Sequence, residues 1–345
     1  MTESVTDADE LVRIDVLRGL LATTLDDDRW QAARAELITG GKSNLTFLVS
    51  SPAGEVILRR PPSGAILATA HDMGREARVQ RALAGSAVPV APVLLVDDGA
   101  AIGVPFYVMA RVPGLVIRDT LPAGFAETTD QRRALGFALV DTLAALHAVE
   151  PAAVGLGDYG RPVGFVERQV TRWSRQWEAS RETPIPAVDE LARRLSRAVP
   201  AAVASGIVHG DYRLDNCIVD AADPGRINAV LDWELSTLGD PLTDVGLMLF
   251  YWHDAARLTP TIIQSVTTGE GFPSTDEIAQ RWAERTGHSV DDLQWYYAFA
   301  HFKFAVITAG IHARVRAGAM SGQDFGDLTA DIAATAESGL ALAPA

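Results

Sequence analysis

The sequence predicts an α+β fold in two lobes: a small antiparallel-sheet lobe over residues 1–110 and a larger, mostly helical lobe over residues 111–345. Three observations predict it. A chain of 345 residues exceeds what one small core sustains. Short apolar runs separated by Gly and Pro crowd residues 35–110, and beyond Pro113-Gly114 the apolar positions recur at helical spacing.

Residues 11–25 carry Val12, Val16, Leu17, Leu20 and Leu21 at helical intervals, which predicts an amphipathic opening helix. Phe47-Leu48-Val49 and Val56-Ile57-Leu58, split by Ser51-Pro52-Ala53-Gly54, predict a β-hairpin. Residues 75–84 place Glu76, Val79 and Leu83 on one helix face, with Gly85 positioned to end it. Residues 93–96 and 104–109 flank a turn containing Gly99 and Gly103, so residues 35–110 read as antiparallel sheet with one inserted helix. In the second lobe, residues 132–149 align Leu135, Leu139, Leu143 and Leu146 along a core-facing stripe. Brief strands at 207–209, 217–219 and 229–231 interrupt the helices, the last two joined by Asp223-Pro224-Gly225. Asp240 and Pro241 read as N-cap and first residue of a further helix with Asp244 in its first turn, and residues 276–284 and 291–316 complete the lobe.

With 30 basic and 44 acidic residues, the net charge of -14 argues against broad contact with nucleic acid or anionic membrane. Any phosphate site must be built locally. The single cysteine, Cys217, excludes an internal disulfide and a cysteine metal cluster and points to a reducing, cytoplasmic setting. Residues 1–10 are acidic and polar, without the basic start and apolar run of an export signal. Residues 296–311 are apolar but short for a membrane span and contain His301 and Lys303, so they read as a buried helix. Trp295, Tyr296, Tyr297, Phe299 and Phe302 read as core of that helix, with an acceptor-binding wall as the alternative.

The chemistry concentrates in His209-Gly210-Asp211-Tyr212-Arg213-Leu214-Asp215-Asn216, set between two apolar strands, and in Val230-Leu231-Asp232-Trp233-Glu234. Moving a phosphoryl group requires a poised acceptor oxygen, a metal that spreads phosphate charge, and fixed cations or dipoles. Asp211 suits acceptance of a hydroxyl hydrogen, while Asn216 and Asp232 offer the oxygen ligands that Mg²⁺ prefers. A plain tight turn would use Asp211 and Asn216 as backbone caps, but it would not call for a following strand that ends in Asp. Arg213 reads equally as a cation for the transferred phosphate and as a surface arginine. His209 reads as a holder of the loop. Glu234, on the Asp232 side of the strand, reads as a metal ligand or as a support for one.

These motifs resemble the aminoglycoside phosphotransferase family of kinase-like small-molecule phosphotransferases, over most of the chain. The resemblance implies a protein-kinase-like fold, Asp211 as catalytic base, Asn216 and Asp232 as Mg²⁺ ligands, and ATP or GTP as phosphoryl donor. Gly40-Gly41-Lys42-Ser43-Asn44, Leu58-Arg59-Arg60-Pro61-Pro62 and Leu238-Gly239-Asp240-Pro241-Leu242-Thr243-Asp244 resemble more narrowly the kinase-like domain attached to, or encoded beside, some acyl-CoA dehydrogenases. That branch implies a hydroxyl on an acyl compound as acceptor rather than an antibiotic. The resemblance further implies that Gly41, Ser43 and Asn44 fold over phosphates, and that Arg59 pairs with Glu76. It also implies that adenine meets the hinge at Met109, Ala110 and Val112, and that the Asp240–Asp244 segment braces the catalytic loop. An arginine stands where the family keeps a strand lysine, with Arg60 one register away; this departure keeps a catalytically silent nucleotide-binding module as a rival reading. An aminoglycoside acceptor is the rival within the enzyme class. The expected partners are a nucleotide and a small-molecule hydroxyl substrate, with no nucleic acid or membrane.

Overall fold

In the computed structural model, the described residues are 8–38, 44–62, 72–318 and 325–345. They form two compact units: the first comprises the chain up to Pro113 together with Asn228–Glu234, the second Gly114–Ile227 and Leu235–Ala345. The boundary expected between residues 110 and 111 falls just before this division. The return of residues 228–234 to the first unit has no counterpart in the sequence pattern.

The first unit opens with helices α1 (Ala8–Leu11) and α2 (Ile14–Thr24), separated at Arg13, whose φ of 47° breaks the single helix expected over residues 11–25. Strands β1 (Arg34–Leu37), β2 (Leu45–Ser51) and β3 (Gly54–Arg60) precede helix α3 (Met73–Leu83), and β4 (Val93–Asp97) and β5 (Phe106–Ala110) follow it. The sheet is antiparallel in the order β1-β2-β3-β5-β4. Strand alternation divides its side chains between two faces. Phe47, Val49, Val56, Leu58, Phe106 and Val108 pack with Leu17, Leu21 and Trp30, while Ile57, Tyr107 and Met109 pack with Met73 and Ala77 of α3. Asp72 caps α3 by accepting the Arg75 N–H at 2.9 Å, and Gly85 follows its end at φ 89°.

The second unit contains α4 (Thr129–His147), α5 (Phe165–Ser180) and α6 (Pro186–Arg197), then β6 (Gly206–Val208) and β7 (Cys217–Val219). After β8 (Ile227–Val230) the chain forms β9 (Thr237–Gly239), α7 (Leu242–Leu249), α8 (Ala255–Leu258), α9 (Thr275–Thr286), α10 (Leu293–Arg316) and α11 (Thr329–Leu342). Reciprocal capping boxes start α4 at Thr128 and Gln131 and α9 at Ser274 and Glu277. β6 and β9 pair antiparallel, so the chain enters and leaves the intervening loop through one small ladder. α10 packs against α5, α6, α7 and α11, and its Trp295, Tyr296, Phe299 and Phe302 are core residues. α7 begins one residue later than expected: Pro241 occupies the capping position and the Asp240 side chain accepts the Leu242 N–H at 3.0 Å. Among the described residues no helix is long and apolar enough to cross a membrane.

Gly246 lets α7 approach α10 closely, since a Cβ there would sit 2.6 Å from the Tyr296 carbonyl carbon and oxygen. Gly246→Ala is expected to destabilise the protein by about 1–3 kcal/mol through overpacking. A urea denaturation midpoint that falls with an unchanged slope checks this.

Candidate active site

In the first unit, the two-residue period of β3 settles which arginine faces α3. Arg59 shares the Ile57 face, whereas Arg60 turns to the other side and donates to the carbonyls of Pro61 and Leu11. Arg59 Nε lies 3.3 Å from Glu76 Oε2, and Nη2 donates to Asp232 Oδ1 at 2.9 Å. The helix carboxylate is held from further sides. Asn44 Nδ2 donates to Glu76 Oε1 at 2.8 Å and to Glu234 Oε2 at 3.0 Å, and the Tyr107 hydroxyl donates to Glu76 Oε2 at 3.1 Å. Two carboxylates, Glu76 and Asp232, therefore hold one guanidinium, and Asn44 links Glu76 to the third carboxylate, Glu234. Burial pushes the Glu76 carboxyl up to about 7, Arg59 pulling it down and Asp232 and Glu234 adding to the rise.

Asp232 lies just beyond β8 with φ 62°, a left-handed conformation that is sparsely populated for a non-glycine residue. The expected strand does not extend to Glu234. β8 ends at Val230, Trp233–Leu235 form a 3-10 turn, and the Trp233 indole donates to the Val230 carbonyl at 3.1 Å. Asp232 and Glu234 thus do not alternate along a strand, and Glu234 reaches Asn44. At the expected hinge, Met109 is buried in the core beside α3, and the Ala110 N–H is taken up by the Pro92 carbonyl at 2.9 Å. Val112 lies past the end of β5. Gly41 and Ser43 lie outside the described residues.

In the second unit, the loop after β6 is fixed through its main chain. The N–H groups of His209 and Gly210 donate to Asp244 Oδ2 at 2.6 Å and Oδ1 at 2.8 Å. His147 Nε2 stands 3.2 Å from Asp244 Oδ2, and Trp282 Nε1 donates to His147 Nδ1 at 3.0 Å. Burial opposes the Asp244 charge, but hydrogen bonding and the histidines outweigh it and lower the carboxyl below its usual range. Gly210 has φ 85°, and a Cβ there would lie 2.8 Å from that of Leu235, so the tight bend requires glycine. His209 Nδ1 accepts the Asp211 N–H at 3.2 Å, which is the loop-holding role read from its position.

Asn216 Nδ2 donates to the Asp211 carbonyl at 2.8 Å and to Asp211 Oδ2 at 3.2 Å. These bonds set the amide so that its oxygen, the atom magnesium prefers, faces away from Asp211. Arg213 is not a free surface cation: it pairs with Asp215 and, at longer range, with Asp211. Its Nε lies 2.9 Å from Asp215 Oδ1 and 3.7 Å from Asp211 Oδ2, and its guanidinium lies 4.8 Å from the centre of the Tyr251 ring. Cys217 is buried in β7, and burial raises its thiol to about 12, away from nucleophilic use.

Tyr251 is a site residue that the motifs do not reveal. It occupies a π-helical turn, Phe250–Asp254, that continues α7, and burial together with the nearby Asp211 carboxylate pushes its hydroxyl well above the usual phenol range. A shallow cleft, partly open to solvent, adjoins it. Arg118, Arg213 and Asp215 supply its charged wall, and Leu139, Met248, Tyr251, Trp252, Ile263 and Val266 its apolar one. Among the described residues, no cluster of three or more His, Cys, Asp or Glu side chains is arranged to hold a metal ion. Asn216 in the second unit and Asp232 in the first each carry an oxygen of the kind magnesium prefers.

The fold and this loop define a kinase-like phosphotransferase. The profile described as "Phosphotransferase enzyme family" matches residues 34–280, and the chain belongs to that family. Acyl-CoA dehydrogenase family member 11 of Rattus norvegicus is 37% identical over 309 residues, covering 88% of this chain and 39% of that protein. Acyl-CoA dehydrogenase family member 10 of Mus musculus is 34% identical over 300 residues, 85% of this chain and 28% of that protein. The chain thus spans well under half the length of these relatives. A crystal structure from Ralstonia eutropha JMP134, described as an aminoglycoside phosphotransferase, superposes with a TM-score of 0.80 at 33% identity, covering 96% of this chain and 99% of that one. A ternary complex of aminoglycoside phosphotransferase APH(4)-Ia with ADP and hygromycin B shares the fold, with a TM-score of 0.59 at 15% identity over 94% of this chain and 97% of its own.

Proposed function

We propose that the chain transfers the γ-phosphoryl group of a magnesium-bound ATP or GTP to a hydroxyl of a small acyl compound, with Asp211 as the base. The observation that carries this reading is the locked catalytic loop, in which Asp244 fixes two main-chain amides and Asn216 is tied to both the carbonyl and the carboxylate of Asp211. Asp211 accepts the hydroxyl hydrogen as the acceptor oxygen bonds to phosphorus and the bond to the nucleoside diphosphate breaks. Magnesium, bound through Asn216 and Asp232, would spread the phosphate charge. Arg59, oriented by Glu76, holds nucleotide phosphates; Asn44, Gly41 and Ser43 belong to the same binding role, and the backbone of Val112 meets adenine. Arg213 offsets charge developing at the transferred group.

The cleft favours an acyl acceptor over an aminoglycoside. Its charged wall has two arginines and one aspartate, already paired with Arg213, and the rest mixes apolar side chains with the neutral polar Gln264, Ser265 and Thr267, so it lacks the acidic lining a polycation would need and suits a neutral or anionic hydroxylated compound better. The names of the acyl-CoA dehydrogenase relatives point the same way. The single cysteine supports a reducing compartment, the cytoplasm, as the setting.

Incubation with Mg-ATP or Mg-GTP and a panel of hydroxy acids, hydroxyacyl-CoA compounds, aminoglycosides and amino alcohols tests the reading by mass spectrometry. A phosphorylated hydroxyacyl product is expected. Product on aminoglycosides alone would transfer the assignment to antibiotic modification, and nucleotide binding without turnover would favour the silent module. Tyr251→Phe, which removes a hydroxyl from beside the Asp211 carboxylate, is expected to lower kcat on the order of tenfold, the scale of one polar interaction with a charged group. Steady-state kinetics at saturating nucleotide checks it.

A further inference from the structure

α10 is apolar where it passes the catalytic loop, except at Lys303, which lies between the buried Phe302 and Phe304. Its Nζ donates to the Gly210 carbonyl at 2.9 Å and stands 5.6 Å from the centre of the Trp173 ring on α5. Asp211 on the loop, Asp244 on α7 and Arg172 on α5 are the charges that act on it. An ammonium half-buried in such surroundings is costly unless it is paired, and the loss of water around it lowers its proton affinity against the pull of the two aspartates. A lysine here therefore needs a reason beyond filling space, because a methionine would pack in its place without that cost.

The Gly210 carbonyl supplies one. It belongs to the peptide unit whose nitrogen is that of Asp211, and that N–H donates to His209 Nδ1 at 3.2 Å. With Lys303 on the oxygen and His209 on the N–H, the plane is held at both ends. Its orientation sets the main-chain dihedrals on either side, and so the direction in which the Asp211 side chain leaves the backbone.

We propose that Lys303 is a positioning residue for phosphoryl transfer: its ammonium grips the Gly210 carbonyl, fixes the peptide plane that aims the Asp211 carboxylate, and offsets the two carboxylates around the loop. The catalytic part of this proposal rests on the function proposed above; the mechanical part does not. A misaimed base slows the chemical step while leaving nucleotide binding in place, since small displacements of a catalytic group cost about a hundredfold.

Lys303→Met and Lys303→Arg are compared with the wild-type protein by steady-state kinetics, thermal unfolding and amide hydrogen exchange of the peptide spanning residues 207–213. Lys303→Met is expected to unfold at or above the wild-type temperature, to lose about 10- to 100-fold in kcat with the nucleotide KM within about threefold, and to exchange the loop amides about tenfold faster. Lys303→Arg, which keeps a donor and a charge, is expected to recover part of kcat and of the protection. Unchanged loop exchange in Lys303→Met, or a kcat within about twofold of wild type, would overturn the proposal. If Lys303→Met does not fold, Lys303→Gln carries the same readings with the same outcomes. A wild-type protein that phosphorylates no acceptor would defeat the proposed function, while the exchange measurement would still decide whether Lys303 holds the loop.

Discussion

Asp211→Asn is expected to lower kcat by about 10²- to 10⁴-fold, the range for removal of a general base, with the dissociation constant for Mg-nucleotide within about threefold of wild type. Asparagine keeps the size of the side chain and its approach to Asn216, so the loop retains its shape. The Asp244 bonds to His209 and Gly210 involve only main-chain groups and do not depend on residue 211. What is lost is the ability to take the hydroxyl hydrogen. Single-turnover assays and calorimetric titration of Mg-ATP and Mg-GTP separate the two quantities. Retained turnover would show that another group serves as base.

The second large effect is expected at Arg59. Arg59→Met leaves Glu76, 1% exposed, without its cation, and removes the guanidinium that pairs with both Glu76 and Asp232. Breaking a buried pair on one side costs about 3–5 kcal/mol, and nucleotide affinity should fall with it. The deficit should depend on pH in a definite direction. Burial already raises the Glu76 carboxyl to about 7 with Arg59 present, and removing Arg59 raises it further. A group whose pKa is higher in the folded state contributes stability at pH below its unfolded value and loses it as the pH rises through the folded value. The variant should therefore be weakest at neutral and alkaline pH and recover toward pH of about 4–5. Denaturant titrations across that range check it; a deficit independent of pH would show that Glu76 is not the group left unpaired.

Much of the fold was legible because it rests on local periodicity. The hairpin of β2 and β3, the helix bearing Glu76, and the Leu135-Leu139-Leu143-Leu146 stripe of α4 lie where apolar spacing puts them. α5 and α6 carry the same kind of signal, with buried Val166, Val170, Trp173 and Trp177 on one and Val188, Leu191 and Leu195 on the other; Arg-rich stretches between these positions dilute it. β1 has little apolar alternation to show, because only one of its four residues is even partly buried. The alternation of β3 put Arg59 rather than Arg60 toward Glu76, as aligning the strand from Val56 suggests.

The rest of the site depends on contacts between residues far apart in sequence. Nothing local tells that Asp244 would leave the usual work of a first-turn acid to accept two loop amides, or that a π-helical turn would bring Tyr251 to Asp211. Nor does a lone lysine in an apolar helix announce the Gly210 carbonyl as its partner. The use of the Ala110 N–H by the Pro92 carbonyl is hidden for the same reason, since it follows from strand pairing and not from the hinge motif.

The central claim is that this chain moves a γ-phosphoryl group onto a hydroxyl, and label transfer tests it most directly. With γ-³²P-labelled ATP or GTP, magnesium and a hydroxyacyl compound, the wild-type protein is expected to place the label on the acceptor. The matching compound without the hydroxyl should receive none, and neither should any acceptor incubated with Asp211→Asn. Label that stays on the nucleotide, appears only as inorganic phosphate, or reaches the acceptor equally well in Asp211→Asn would contradict the account.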